Sequence, residues 1–189
     1  MLAYIVLLLA VVSRLLPPAF HTVSWNFTAL GGGLLFFGSR MGNRAHAGSV
    51  AAKLVSALVI LMATDYYLTV YAYQYQFHVS WYLVTWAWYA VVCMLGLGIL
   101  QKVTALRVAA GTLASATSFF LLSNFAVWAT GTMYPRTLAG LGACLTAGIP
   151  FYRNDLVSTA ITAGALFGLP VLAAKIVESM HAAQHDHTA

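Results

Sequence analysis

Charge is what this sequence has least of. Nine Lys and Arg with four Asp and Glu make up 7% of 189 residues, against roughly a quarter in an ordinary soluble domain. Set beside 61% hydrophobic residues and a mean hydropathy of +0.84, that scarcity excludes a soluble globular protein and implies an integral membrane one. Crossings of about 20 apolar residues each use nearly all of the chain and leave no room for a soluble domain. The basic excess does not point to nucleic acid, because the Lys and Arg sit singly at the ends of apolar runs and form no stripe for phosphates. Cysteine is scarce too. Cys93 and Cys144 both lie in apolar runs and read as packing residues. No Gly-rich phosphate loop, no H-E-x-x-H motif, and no pair of histidines deep in two helices for haem is present. No catalytic residue, cofactor or metal is therefore expected, and the protein is not expected to be an enzyme. The first apolar run lacks a basic n-region, and Arg14 follows it instead of preceding it, so it reads as a retained helix.

What fills the sequence is a series of apolar segments. The first, Leu2–Leu16, stops at Pro17-Pro18. The second, about Ser24–Ser39, carries Gly31-Gly32-Gly33, which permits close backbone approach. Three more run over about Ser49–Tyr71, Ser80–Leu100 and Leu106–Trp128. The last, Thr137–Ile176, would be about 60 Å long as a straight helix, twice the hydrocarbon thickness. Pro150 is expected to break it, leaving either one kinked crossing that projects from the bilayer or two crossings. The expected fold is an all-α polytopic membrane protein with six transmembrane helices, or seven segments if the last region crosses twice. One domain covers 1–180, followed by a His-rich flexible tail at 181–189. His181, His185 and His187 have no fixed geometry there with which to hold a metal.

Orientation follows from the basic residues. Arg40, Arg44 and Lys53, with His46, form the most basic connection, which the positive-inside rule places in the cytoplasm. The N-terminus and the Lys102–Arg107 turn then lie inside, while Tyr73–Val79 and Gly131–Arg136 lie outside. The expected location is the inner (plasma) membrane, multi-pass, with the lipid bilayer as the first partner.

On that topology Arg14, Asn26, Asp65, Asn124 and Trp128 fall within about 10 Å of the outer face. Polar groups set among aromatics resemble a ligand pocket. Each also has a plainer role. Arg14 can snorkel to the headgroups or pair with Asp65, and Asn26 and Asn124 can bond between helices. Tyr66, Tyr67, Trp81 and Trp86 can anchor the interface or stack on a ligand. The stretch from Ser123 to Asp155 is the most unusual, joining Asn124 and Trp128 to Arg153, Asn154 and Asp155 across Pro150. On the last segment Ala160, Gly164 and Gly168 recur every four residues, a stripe for helix packing or for docking a partner.

RLLPPAFHTVSWNFTAL, MATD and especially SNFAVWATGTMYPRTLAGLGACLTAGIPFYRNDL resemble a family of small bacterial membrane transport proteins. That family is similar to the substrate-binding S components of energy-coupling-factor vitamin transporters. The resemblance implies an S-component-like bundle of six helices that binds a vitamin or precursor in an outer pocket for uptake. It also implies that Arg14, Asn26, Asp65, Asn124, Trp128, Tyr134 and Asn154 are motif residues, and that an ATP-driven coupling module is a partner. One departure stands against that partner. S components that dock on a shared module show small residues four apart in helix 1, whereas Ala3 and Ala10 are seven apart with Leu7 between them. A solitary carrier, a non-transport interaction protein and an enzyme acting on lipid-linked substrates are the other functions the residues allow.

Overall fold

The computed structural model describes residues 1–15, 28–42 and 46–186. The Pro17-Pro18 stop, Asn26, Arg44 and the side chains of His185 and His187 lie outside the described residues. Among those described there are six α-helices and no strand: α1 Leu2–Ser13, α2 Leu30–Ser39, α3 Ala47–Tyr67, α4 Val79–Ile99, α5 Ala105–Thr130 and α6 Leu138–Asp186. A π-helical turn, Leu68–Ala72, extends α3. The span from Ala47 to Ala72, together with α4, α5 and α6, is long and apolar enough to cross a membrane. Helices α1 and α2 are apolar but shorter.

Helix α2 is the axis of the bundle. Every residue from Leu30 to Ser39 is buried, and α1, α4, α5 and α6 all pack against it. Glycine makes that crowding possible. A Cβ on Gly32 would lie 2.7 Å from the backbone nitrogen of Ala163 on α6, and one on Gly33 would lie 2.7 Å from the Cβ of Ala10 on α1. Gly38 on α2 touches the Cys93 carbonyl of α4, and Gly96 of α4 touches the Leu35 carbonyl of α2. The packing surface of α1 that includes Leu7 and Ala10 is buried, and Ala10 abuts Gly33, so that face is taken up within the chain.

Outward the helices present apolar side chains such as Leu8, Val55, Leu83, Leu121 and Ile161, each at least half exposed or nearly so. Water would not tolerate that surface over a whole molecule, but lipid would. Helix α1 ends at Ser13, three residues before the sequence pattern suggests. The Ser13 hydroxyl donates to the Ala10 carbonyl at 2.6 Å and accepts from the Ala29 backbone N–H at 2.9 Å, tying the end of α1 to the entry of α2.

Pro150 does not break the last region. Helix α6 runs through Pro150 and Pro170 as one element of 49 residues, about 73 Å long. A proline removes one helical hydrogen bond, but an apolar environment offers the neighbouring backbone no water to turn to, so the remaining bonds persist. Packing along α5, the most extensive helix pair among the described residues, supports the same course. Two antiparallel crossings within 138–186 are thereby excluded, and the helix also extends through the first six residues expected to form a flexible tail.

Candidate functional site

Asp65 sits near the end of α3 at 2% exposure, where an unpaired carboxylate would be strongly disfavoured. Three side chains donate to it. Oδ1 accepts from Arg14 Nη2 in an ion pair and from the Tyr89 hydroxyl at 3.3 Å. Oδ2 accepts from Trp86 Nε1 at 2.8 Å. The donors come from the end of α1 and from α4, so one carboxylate joins three helices. The Arg14 guanidinium also lies over the Tyr89 ring, 5.9 Å from its centroid.

A cleft of about 210 Å³ opens beside this pair, lined by Arg14, Thr28, Asp65, Leu68, Thr69, Tyr73 and Tyr82. The π-turn shapes its wall. Tyr73 N–H donates to the Leu68 carbonyl at 2.8 Å, and Tyr75 N–H to the Thr69 carbonyl at 2.8 Å. Between them Gln74 takes φ 57°, the left-handed region that a non-glycine residue seldom occupies. Such turns recur at functional sites, where they re-aim side chains. Thr69 Oγ1 donates its only proton to the Asp65 carbonyl at 2.7 Å. The bond between Thr69 and Tyr82 therefore has the Tyr82 hydroxyl as donor. Behind the cleft Phe77 stacks on Tyr82 with centroids 4.9 Å apart, and both stack against Trp86.

One polar atom at the site is left over. Arg14 Nη1 is buried with no hydrogen-bond partner among the described residues. Buried donors are normally satisfied, so this one marks a place for an acceptor.

The remaining residues singled out from sequence fall elsewhere. Asn124 does not line the cleft. Its Nδ2 donates to the Phe120 carbonyl at 2.8 Å, and its side chain fills the space left by Gly148, where a Cβ would come within 2.6 Å of Oδ1. The Cys144 thiol points at its carbonyl at 3.4 Å. Trp128 Nε1 donates to the Pro135 carbonyl at 2.9 Å, and Arg136 donates to the carbonyls of Trp128 and Gly131. Those contacts, with Tyr134 half-buried between them, build the corner from α5 to α6. Asn154 is half-buried on α6, away from the cleft. Its neighbour Asp155 is the more constrained, with one buried carboxylate oxygen, Oδ2, lacking a partner among the described residues.

Tyr82 and Tyr89 were not singled out individually as site residues. Their signal was available in their spacing: residues 82, 86 and 89 follow i, i+4, i+7 on one face of α4, the face turned to Asp65. Trp86 belongs to that face and is not an interface anchor, whereas Trp81 and Tyr67 are exposed as anchors are. The stripe of Ala160, Gly164 and Gly168 is not the internal packing seam. A Cβ added at Gly164 or Gly168 would meet nothing within 4 Å. The inner contacts of α6 are made one residue earlier, by Thr159, Ala163 and Phe167.

A family model described as "Family of unknown function (DUF6580)" matches residues 1–181. The chain belongs to that family. No curated protein and no solved structure matches it. The DUF6580 match spans nearly the whole bundle, so the Asp65 cleft, the α5–α6 corner and the glycine-lined axis all lie within the family region.

Proposed function

We propose that this DUF6580 protein is a membrane transport protein, similar to an S component, that binds a small organic solute in an outward-facing cleft and helps move it inward. The carrying observation is the cleft beside the Arg14–Asp65 pair, with a guanidinium nitrogen that has no partner among the described residues. Ionisable groups within membrane segments ordinarily serve a substrate or ion pathway, and this pair is placed where a solute can reach it. Six crossings, with the Met1 end cytoplasmic, complete the reading, α1 and α2 being the two shorter ones.

The cleft's chemistry supports a solute class. Its 210 Å³ falls below the roughly 300–1,000 Å³ that accommodates drug-sized ligands, so the solute is small. Asp65 already balances the charge of Arg14, and the free N–H therefore suits a neutral acceptor, such as a ring nitrogen or carbonyl, better than a full anion. Tyr73 and Tyr82 offer flat apolar faces. A planar heteroaromatic vitamin or precursor has those properties. No covalent chemistry is needed: the solute binds, the bundle rearranges, and the solute leaves at the other face. A coupling module, if one docks, uses a surface other than the Leu7–Ala10 face of α1.

A thermal-unfolding screen of the detergent-solubilised chain against vitamins, nucleobases and their precursors tests the reading. At a hundredfold excess over its Kd a ligand adds about 2.7 kcal/mol to stability, a readable shift in Tm. Tyr73→Ala and Tyr82→Phe should lose the shift and remain folded. If no compound in a broad screen stabilises the chain, and cells lacking it take up every tested solute normally, the interaction-protein reading replaces this one.

A further inference from the structure

Arg153 is a charge that the bundle leaves uncovered. It follows Tyr152 on α6, whose hydroxyl lies 2.9 Å from Thr117 Oγ1 and whose ring lies 4.9 Å from that of Phe120. Thr117 is midway along α5, between Ala105 and Thr130, so either end of that helix is about 20 Å away. Both α5 and α6 are long and apolar enough to cross a membrane, which puts Arg153 near the middle of the crossing. Its side chain is exposed there. Ile149 and Val157, one turn before and one turn after it on the same face, are 46% and 52% exposed. A cation thus stands alone on a surface otherwise suited to lipid.

The chain has no acid to spare for it. Its four acids are Asp65, Asp155, Glu178 and Asp186. Asp65 is 2% exposed and held by three donors, and its pair with Arg14 is the only ion pair among the described residues. Asp155 follows Arg153 by two residues, a spacing that turns the two side chains away from each other, and its Oδ2 is buried. Glu178 and Asp186 lie about 40 Å or more further along α6. A second copy lying parallel in the membrane would bring the same four acids at the same depths, and none at its surface beside Arg153. A lipid phosphate sits at the edge of a core about 30 Å thick, beyond the span of an arginine side chain anchored near its middle.

Ionisable side chains inside membranes face a protein interior or a watery cavity and pair with one another. We infer that this face of α6 docks a transmembrane helix of a different protein, one that carries an Asp or Glu at mid-depth to pair with Arg153. The ion pair fixes the depth at which the two helices meet. Ile149 and Val157 supply apolar contact around it, and further along the same face Gly142 and Gly164 have open space beside them, which lets a second backbone come close. This docking face does not depend on the solute-binding reading and survives its failure.

The test uses the full chain reconstituted in phosphatidylcholine vesicles with synthetic helices of leucine and alanine. One helix carries a central Glu, a second a central Gln, and a third a Glu near one end. Energy transfer between labels on chain and helix measures association. The central-Glu helix should bind about tenfold more tightly than the central-Gln helix, and the end-Glu helix no better than the central-Gln one. Arg153→Gln should remove the excess with the melting curve unchanged, and Arg153→Lys should keep most of it. Lys175→Gln, an exposed cation elsewhere on α6, should behave as wild type. Equal binding of the central-Glu and central-Gln helices overturns the proposal, as does an excess that Arg153→Gln leaves intact. Energy transfer between copies of the chain alone, abolished by Arg153→Gln, overturns it too, in favour of a second copy as the occupant.

Discussion

Asp65 shows how far a single residue can be read. It is the one acid deep in its apolar segment, and Arg14 is a base at the end of an apolar run near the same face, so their pairing was legible without coordinates. The two further donors, Trp86 and Tyr89, were not: an aromatic near a helix start serves equally well as a lipid anchor, and only tertiary packing decides between the two. The pair itself makes a definite prediction. Removing one partner of a buried ion pair leaves the other uncompensated, which destabilises by about 3–5 kcal/mol. Asp65→Asn and Arg14→Gln should each lose stability on that order in denaturant titrations of the solubilised protein. The double variant should lose clearly less than the sum, since neither charge is then stranded. Additive losses would mean that the two side chains do not interact. Asn124 carries the opposite lesson. It lies at the same end of the bundle as Asp65 by connectivity, yet depth does not give azimuth, and its side chain is spent on the α5–α6 contact with Gly148.

At the scale of elements, helix existence and type followed from the spacing of apolar runs, and the boundaries of α4, of α5 and of α3 taken together with its π-helical turn fall within two residues of the pattern. Pro150 misled because a proline's effect depends on what the freed backbone can bond to, which a sequence does not display. Glycine divided into two kinds for a similar reason. Gly31-Gly32-Gly33 and Ala160-Gly164-Gly168 look alike as motifs, but the first meets backbone and side chains at close range and the second meets open space. The two should respond differently to substitution. Gly32→Leu drives a side chain into the α6 backbone, and overpacking of that sort destabilises by about 1–3 kcal/mol or more. Gly168→Ala should be neutral or slightly stabilising, because alanine favours the helix by about 1 kcal/mol over glycine. Parallel thermal melts of the two variants measure the contrast. Equal losses would mean that α6 lies against α2 in a different register.

For the whole molecule the open question is which end faces the cytoplasm, and the structure sharpens the grounds for an answer. Connectivity puts Met1, Arg40, Lys53, Lys102 and Arg107 toward one end, with Lys53 Nζ donating to the Met41 carbonyl there at 2.9 Å. The other end holds Arg14, neutralised by Asp65, and Arg136, engaged with two backbone carbonyls of its own corner. Free positive charge is thus concentrated at the Met1 end, which by the positive-inside rule supports the proposal that this end is cytoplasmic. The loop at 73–78 and the Asp65 cleft then open outward. Gln76 and Ser49 are exposed at opposite ends, which makes them suitable reporters. Cys93 and Cys144 are buried and should stay silent to a membrane-impermeant maleimide, so the natural background can be kept. In intact cells Gln76→Cys should label and Ser49→Cys should label only after the membrane is permeabilised. The reverse pattern would turn the cleft toward the cytoplasm, and the proposed transport would then draw its solute from inside the cell, in the direction of export.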